Sequence, residues 1–170
     1  NSTILTIISV PLIVITCSML AFYIQRRGGK ISDIISFTIL TGLMIPPAIV
    51  PTIWVLEALN LYKTLWGLIF IEVALAIPFS TMLYRGFMGS IPKEIDESAI
   101  IDGCGTMRLF FRIIFPLLKP VTATVIILSS INVFNDFSNP LYFLPGAENA
   151  TVQLTLYNFA GQYASSWNLL

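Results

Sequence analysis

The sequence contains no histidine, only two cysteines and few charges, and each shortage excludes a class of function. Without histidine there is no Ser-His-Asp triad and no imidazole ligand for a metal. Cys17 and Cys104 stand far apart and outside any CxxC spacing, so neither a zinc knuckle nor a disulfide framework is indicated. Charged residues are 11% of the 170 residues, against about 25% in soluble domains. Such a chain cannot cover its surface with charge.

The composition indicates lipid as the main solvent. Hydrophobic residues make up 56% of the chain, and the mean hydropathy is +0.85. Nine basic and nine acidic side chains give a net charge of zero without a basic run, which argues against nucleic acid as a partner. We therefore predict an all-α membrane protein, a polytopic bundle of transmembrane helices.

Four stretches with few or no charges give the predicted spans. A spanning helix needs about 20 mostly apolar residues. Glu72 is the only charge within the third stretch, and the fourth stretch is the shortest. The predicted spans are about 3–25, 34–56, 64–84 and 120–137. They leave a loop at 85–119 and an outer segment at 138–170. Prolines inside the spans predict bends, above all the cluster Pro46, Pro47 and Pro51.

The cationic side chains predict the orientation. Residues 25–33 and 85–119 lie on one side of the membrane and hold eight of the nine Lys and Arg residues. Only Lys63 lies opposite. By the positive-inside rule the two cation-rich loops are cytoplasmic, and residues 138–170 face outward.

The loop 85–119 carries nine of the eighteen charges and predicts two short helices. Ser90 is expected to cap the first helix, and Gly103 and Gly105 are expected to end it. If Gly103 has a positive φ, a side chain larger than hydrogen would be penalised there. The second helix is expected to run from Thr106 to Pro116. Its apolar positions predict a single buried stripe of Met107, Phe110, Phe111 and Ile114.

The first loop helix has apolar residues on two faces. At about 100° per residue, Ile91, Ile95 and Ala99 share one face, while Ile100 and Ile101 flank Glu97 on another. One face can pack against the ends of the spans, but the sequence contains no partner for the other. A docking surface and a self-contained hairpin with solvated charges both remain open at this point.

The stretch from Ile91 to Pro116 resembles the EAA loop of ABC importer permeases. That pattern is Glu-Ala-Ala, three residues, Gly, nine residues, then Ile-x-Leu-Pro. The corresponding positions in this chain are Glu97, Ser98, Ala99, Gly103, Ile113 and Pro116. Ser98 replaces the middle alanine, and Phe115 replaces the leucine.

A second resemblance indicates the carbohydrate-uptake, or maltose-type, branch of these permeases. The run Phe134-Asn135-Asp136-Phe137 with Pro140-Leu141 is similar to the branch's Trp-Asn-Glu-Phe…Pro-Leu pattern. The segment Phe159-Ala-Gly-Gln-Tyr163, with Trp167, also looks like that branch. The resemblance covers essentially the whole chain. Because family members usually have six spans, we expect this sequence to be a segment that lacks the first and the last.

The resemblance implies a permease subunit of an ATP-driven importer for a sugar or sugar-like solute. In that family the loop is the joint to a cytoplasmic ATPase, Glu97 pairs with a basic residue of the ATPase, and Gly103 permits the turn. The permease would do no chemistry and bind no cofactor, because ATP is hydrolysed by partner subunits. The implied partners are a second permease subunit, two cytoplasmic ATPase subunits, an extracytoplasmic sugar-binding protein and membrane lipid. The implied location is the plasma, or inner, membrane of a bacterium or archaeon.

Other functions and roles remain open on the sequence. The rivals are a permease for another solute class, a secondary transporter or channel, and an intramembrane enzyme, for which no nucleophile–base pair or metal set is present. Glu72, Asn135 and Asp136 are candidates for the pathway or the substrate. For Glu72 the alternative is a buried acid paired with an internal Ser, Thr or backbone group. Residues 149–170 predict an outer loop with a short interfacial helix. Its aromatic residues form either a contact with the binding protein or a belt at the membrane surface.

Overall fold

The computed structural model describes residues 1–145 and 151–162, and almost all of them are helical. No β-strand occurs within these two ranges, and the predicted all-α class is confirmed. A π-helical segment, Phe110–Ile114, lies between α6 and α7. The α-helices are α1 (Ser2–Arg27), α2 (Lys30–Met44), α3 (Ile49–Ala58), α4 (Leu65–Met88), α5 (Glu94–Ile101), α6 (Thr106–Leu109), α7 (Phe115–Leu117), α8 (Lys119–Asn135), α9 (Ser138–Phe143) and α10 (Val152–Gln162).

The chain divides into two compact units, each built from separate stretches of sequence. The first unit comprises Asn1–Val10, Pro47–Leu75 and the described residues of Ser130–Leu170. The second unit comprises Pro11–Pro46 and Ala76–Ser129. The whole predicted loop between the third and fourth spans therefore belongs to the second unit.

Helices α1 and α4 are long and apolar enough to cross a membrane. With 26 and 24 residues, they extend for about 39 Å and 36 Å at 1.5 Å per residue, beyond a hydrocarbon core of about 30 Å. Each contains one internal proline, Pro11 in α1 and Pro78 in α4. These helices occupy the regions of the first and third predicted spans.

The segment predicted as one span, 34–56, consists of two helices. α2 and α3 are separated by residues 45–48, and both ends of this break have extended backbone. Pro46 and Pro47 lie inside it. Neither can donate a backbone hydrogen bond, and a residue before a proline is pushed out of the helical region. With 15 residues in α2 and 10 in α3, each helix alone is shorter than the bilayer core.

The segment that leads into the fourth predicted span bends sharply at Leu118. Residues Thr106–Leu117 and α8 meet at 78°, and together they are long and apolar enough to cross the membrane as one bent span. α8 ends at Asn135, within the predicted span 120–137, and α9 starts three residues later.

The second unit has its core where α1, α4 and the start of α8 come together. The Tyr84 hydroxyl donates to Thr122 Oγ1 at 3.2 Å, which joins α4 to α8. A Cβ at Gly42 would lie 3.2 Å from Cγ of Pro78, so the missing side chain allows α2 to approach α4 closely. The largest fully buried side chains of this unit are Ile13, Thr81, Tyr84, Met88, Phe110, Ile114, Leu118 and Val125.

In the first unit, hydrogen bonds donated by backbone N–H groups join the ends of several helices. The Lys63 N–H, between α3 and α4, donates to the Phe143 carbonyl of α9 at 3.2 Å. The Val152 N–H, at the start of α10, donates to Ser2 Oγ at 2.9 Å. These bonds connect segments that are far apart in the sequence.

Candidate functional site

The loop 85–119 folds as a hairpin whose first arm is α5. The predicted division of its faces is confirmed in part: Ala99 is buried, whereas Ile100 and Ile101 are 59% and 85% exposed. Ile95 is only half-buried, and Ile91, although buried, precedes the helix. Glu97 is exposed beside the two isoleucines. α5 therefore packs one side against its own chain and presents an apolar and acidic surface on the other.

The predicted N-cap of this helix is wrong. α5 begins at Glu94, and the Ser90 hydroxyl donates to the Phe87 carbonyl at 2.6 Å instead. Ser90 thus satisfies a carbonyl in the last turn of α4. The reason is that Pro92 intervenes, so that the chain turns before the new helix starts.

A buried ion pair fixes the inner side of α5. Arg26 Nε lies 2.6 Å from Asp96 Oδ2, and each side chain is 11% exposed. Arg26 Nη2 also donates to the Ile91 carbonyl at 3.2 Å. Burial raises the pKa of the Asp96 carboxyl above its usual range, and the Arg26 guanidinium partly offsets that rise.

The turn after α5 requires glycine at position 103. Gly103 has φ 77°, so a side chain larger than hydrogen would be penalised at this position. Its N–H donates to the Ile100 carbonyl, and the Cys104 N–H donates to the Ala99 carbonyl, both at 2.9 Å. This pair of bonds is a Schellman motif with glycine at its left-handed position. It sets the direction in which the second arm leaves α5.

The second arm differs from the predicted regular helix. Residues Phe110–Ile114 form a π-helical segment, in which hydrogen bonds join residues five apart. The predicted stripe is only partly buried: Phe110 and Ile114 are buried, whereas Phe111 and Met107, which precedes the π-helical segment, are 47% and 58% exposed. Phe110 packs against Phe22 of α1, with ring centroids 5.3 Å apart.

Two open grooves flank the hairpin. One, of about 610 Å³, lies between the end of α1 and the two arms and is lined by both Glu97 and Met107. The other, of about 520 Å³, is lined by Ser98, Ala99 and Ile113, among others. Pro116, the last position of the resemblance, is exposed. The structure thus brings the residues quoted for the resemblance onto one hairpin, with Glu97 on its open side.

A separate polar cluster lies in the first unit. Glu72, 7% exposed, accepts a hydrogen bond on Oε1 from Asn139 Nδ2 at 3.2 Å. Asp136 Oδ1 accepts from the backbone N–H groups of Ser138 and Asn139, at 3.0 and 3.4 Å, and so closes the start of α9. The structure therefore joins two of the three predicted pathway residues through Asn139.

The third predicted pathway residue lies apart from this cluster. Asn135 is exposed, and its Oδ1 accepts from Gln153 Nε2 of α10 at 3.1 Å. Tyr157 of the same helix packs against Phe137, with centroids 4.9 Å apart. The Phe159 side chain, Tyr163 and Trp167, also noted in the sequence, lie outside the residues described.

Two residues of these sites were missed by sequence reasoning. Arg26 served only as an indicator of orientation, although it pairs with Asp96. Asn139 was not singled out, although it binds Glu72 and Asp136. A signal existed for Asp96, since its position three residues before Ala99 puts it on the buried face of α5. Within residues 1–145 and 151–162, no three Cys, Asp or Glu side chains are grouped closely enough to hold a metal ion.

With this geometry established, comparison with known proteins identifies the family. The family described as the binding-protein-dependent transport system inner membrane component matches residues 13–167. The chain belongs to this family. Its members are transport components of the inner membrane, not enzymes.

Several curated relatives match almost the whole chain. The melibiose/raffinose/stachyose import permease protein MelC of Bacillus subtilis is 35% identical over 100% of this chain and 63% of its own length. The probable starch degradation products transport system permease protein AmyC of Thermoanaerobacterium thermosulfurigenes is 32% identical over 99% of this chain and 62% of its own. The multiple sugar-binding transport system permease protein MsmG of Streptococcus mutans is 33% identical over 98% and 62%. The chain thus spans about three fifths of these relatives.

A solved structure shares the fold. A chain from the crystal structure of a bacterial ABC transporter involved in the import of the acidic polysaccharide alginate superposes with a TM-score of 0.79. It is 20% identical, and the match covers 96% of this chain and 61% of that chain. The two chains therefore share a fold.

Proposed function

We propose that this chain is part of the permease subunit of an ATP-driven ABC importer for a sugar or sugar-like solute. The observation that carries the proposal is the open face of α5, where exposed Glu97 stands beside exposed Ile100 and Ile101. The relatives named for sugar import support the solute class. The permease does no chemistry; partner subunits hydrolyse the ATP.

The chemistry of the open face suits a cytoplasmic ATPase subunit. Two adjacent exposed isoleucines supply apolar area, and a carboxylate beside them supplies a charge that a basic residue of the partner can pair with. The Schellman turn at Gly103 holds this face in a fixed direction relative to the second arm. The proposed roles of Ser98, Ala99, Ile113 and Pro116 are to shape the hairpin and its second groove.

The complete transporter would contain the remaining implied parts. A second permease subunit and two cytoplasmic ATPase subunits form the membrane complex, and an extracytoplasmic sugar-binding protein delivers the solute. The complex lies in the plasma membrane of a bacterium or archaeon, with this subunit crossing it several times. α1 and α4 supply two of the crossings, and α8, which follows the second arm of the hairpin, is proposed to form a third.

The cluster of Glu72, Asp136 and Asn139 is the proposed polar element of the pathway wall. A buried carboxylate within a spanning helix is costly and persists where it faces protein or a polar cavity. The side chains of Glu72 and Asn139 offer the hydrogen-bonding groups that sugar hydroxyls require. Asn135, which binds α10, is proposed to hold the outer segment and not to touch the solute.

The test is capture of the full-length protein from its native membrane in detergent. We expect an ATPase, a second permease and a sugar-binding protein to co-purify with the wild type. Glu97→Lys should lose the ATPase, because reversing one partner of an interfacial charge pair costs about 2–5 kcal/mol, or more than about 30-fold in affinity. The ligand on the captured binding protein would identify the solute.

The matched control is Asp33→Lys. It makes the same change in net charge at an exposed acid in the first turn of α2, outside the hairpin. It should retain the ATPase. If Glu97→Lys and the control both co-purify normally with the ATPase, α5 is not the docking surface. If the wild-type protein purifies without any of these partners, the importer assignment is wrong.

A further inference from the structure

The hairpin is joined through the chain to two spanning helices only. α5 follows α4 after a short turn, and the second arm runs directly into α8. Movement of a docked hairpin therefore reaches α4 and α8 through the backbone. α1 has no such connection, and only side-chain contacts can carry the movement to it.

The contacts between α1 and the hairpin are few and specific. Arg26, in the last turn of α1, pairs with Asp96 at 2.6 Å and donates to the Ile91 carbonyl at 3.2 Å. Four residues earlier, Phe22 stacks against Phe110 of the second arm. The guanidinium thus holds the start of α5 at two points, whereas the aromatic contact is non-directional.

A hydrogen bond also joins the same end of α1 to α2. The Ser32 hydroxyl, itself buried, donates to the Ile24 carbonyl at 2.8 Å. Between the two helices lie Gly28 and Gly29, which have φ of 56° and 93° and form a tight reversal. Anything that displaces Arg26 therefore acts on the junction of α1 with α2.

We propose that Arg26 is a positioning residue that links the docked α5 to α1 and α2 through Asp96, so that ATP-driven movement of the hairpin also moves these helices. This link rests on the proposed function, since it presumes an ATPase on the open face of α5. A buried charge pair suits the task, because its partners cannot slide apart without leaving a charge unpaired. Asp96 is buried whereas the neighbouring Glu97 is exposed, although both residues line the groove beside the end of α1.

The experiment measures coupling in the assembled transporter reconstituted in vesicles. The variants are Asp96→Asn, which keeps the side chain's shape, Arg26→Ala, and the exchanged pair Arg26→Asp with Asp96→Arg. The control is Arg27→Ala, which removes an exposed cation that stacks on Tyr23 instead of pairing with α5. The readout is the number of ATP molecules hydrolysed per solute imported, together with the amount of ATPase that co-purifies.

We expect each single variant to retain the ATPase while solute uptake falls and ATP hydrolysis persists, so that the ATP used per solute rises several-fold. The exchanged pair should recover part of the loss, and Arg27→Ala should match the wild type. A loss that only followed the amount of assembled complex would not change this ratio.

Three outcomes would overturn the link. The first is a wild-type ratio of ATP hydrolysed to solute imported in both single variants. The second is a fall in uptake and ATP hydrolysis together, in proportion to the amount of assembled complex. Failure of the isosteric Asp96→Asn variant to assemble would show that the pair serves folding alone. In all three cases the wild type still imports sugar with ATP, so the proposed function survives. A wild type without ATP-dependent uptake would refute the proposed function and the link with it.

Discussion

Replacing Gly103 by alanine isolates the contribution of a single backbone angle to the hairpin. A Cβ at this position would meet no atom within 4 Å, so the substitution introduces no clash. What remains is the cost of holding a residue with a Cβ at φ 77°, about 1–2 kcal/mol. That cost lowers the ratio of closed to open turn by a factor of about 5–30.

Hydrogen exchange of the full-length protein in lipid nanodiscs would measure this effect directly. The Gly103 and Cys104 N–H groups are both bonded across the turn, so their exchange reports its opening. We expect the peptide that contains them to exchange about 5–30 times faster in Gly103→Ala than in the wild type. Peptides from α2 should exchange unchanged.

Gly105→Ala is the matched control, two residues along the same turn. Gly105 has φ −72°, and a Cβ there also meets nothing within 4 Å, so alanine fits without strain. Its exchange should equal the wild type or be slightly slower, because alanine restricts the unfolded chain more than glycine does. Equal protection in the two variants would refute the argument that the left-handed angle holds the hairpin.

Two further predictions concern buried side chains. Phe110→Ala removes a ring that is 2% exposed and should lower the free energy of unfolding by about 3–5 kcal/mol. Phe111→Ala, at a site 47% exposed, should change it by about 0.5 kcal/mol or less. Thermal unfolding of both variants in detergent would compare them, and equal losses of stability would contradict the difference in burial. Glu72→Gln keeps an acceptor for Asn139 and should leave stability intact while lowering sugar uptake, and unchanged uptake kinetics for every sugar tried would remove the pathway role.

Local features of the hairpin were predictable because they depend on neighbours in the sequence. The buried and exposed faces of α5 follow from a spacing of three and four residues. The positive φ at Gly103 follows from the chemistry of helix ends. By contrast, the π-helical segment at Phe110–Ile114 has no periodic signal in the sequence, and the helical spacing wrongly placed Met107 and Phe111 on the buried stripe.

Contacts between distant segments were less predictable. Arg26 and Asp96 are 70 positions apart in the sequence. The positive-inside rule already accounts for a cation at position 26, so the sequence gives no reason to expect a partner for it. Asn139 binds Glu72 across 67 positions. The resemblance indicated Asp136, but it did not indicate that α9 would start beside Asp136 and place the Asn139 N–H within reach of the Asp136 carboxyl. Conversely, the break within 34–56 was foreseeable, because two adjacent prolines cannot continue a helix.

Asp96 and Glu97 show how one short helix can serve two partners. Adjacent helical residues point about 100° apart, so on a helix packed along one side, one of two neighbouring acids is buried and the other exposed. Here the buried acid pairs with Arg26 and the exposed one stands beside Ile100. If both proposals hold, a change at Glu97 weakens binding of the ATPase, whereas a change at Asp96 leaves binding intact and wastes ATP. Substitution of these two neighbouring carboxylates would then cause two different defects. The defect at each position follows from whether its side chain is buried against Arg26 or exposed beside Ile100.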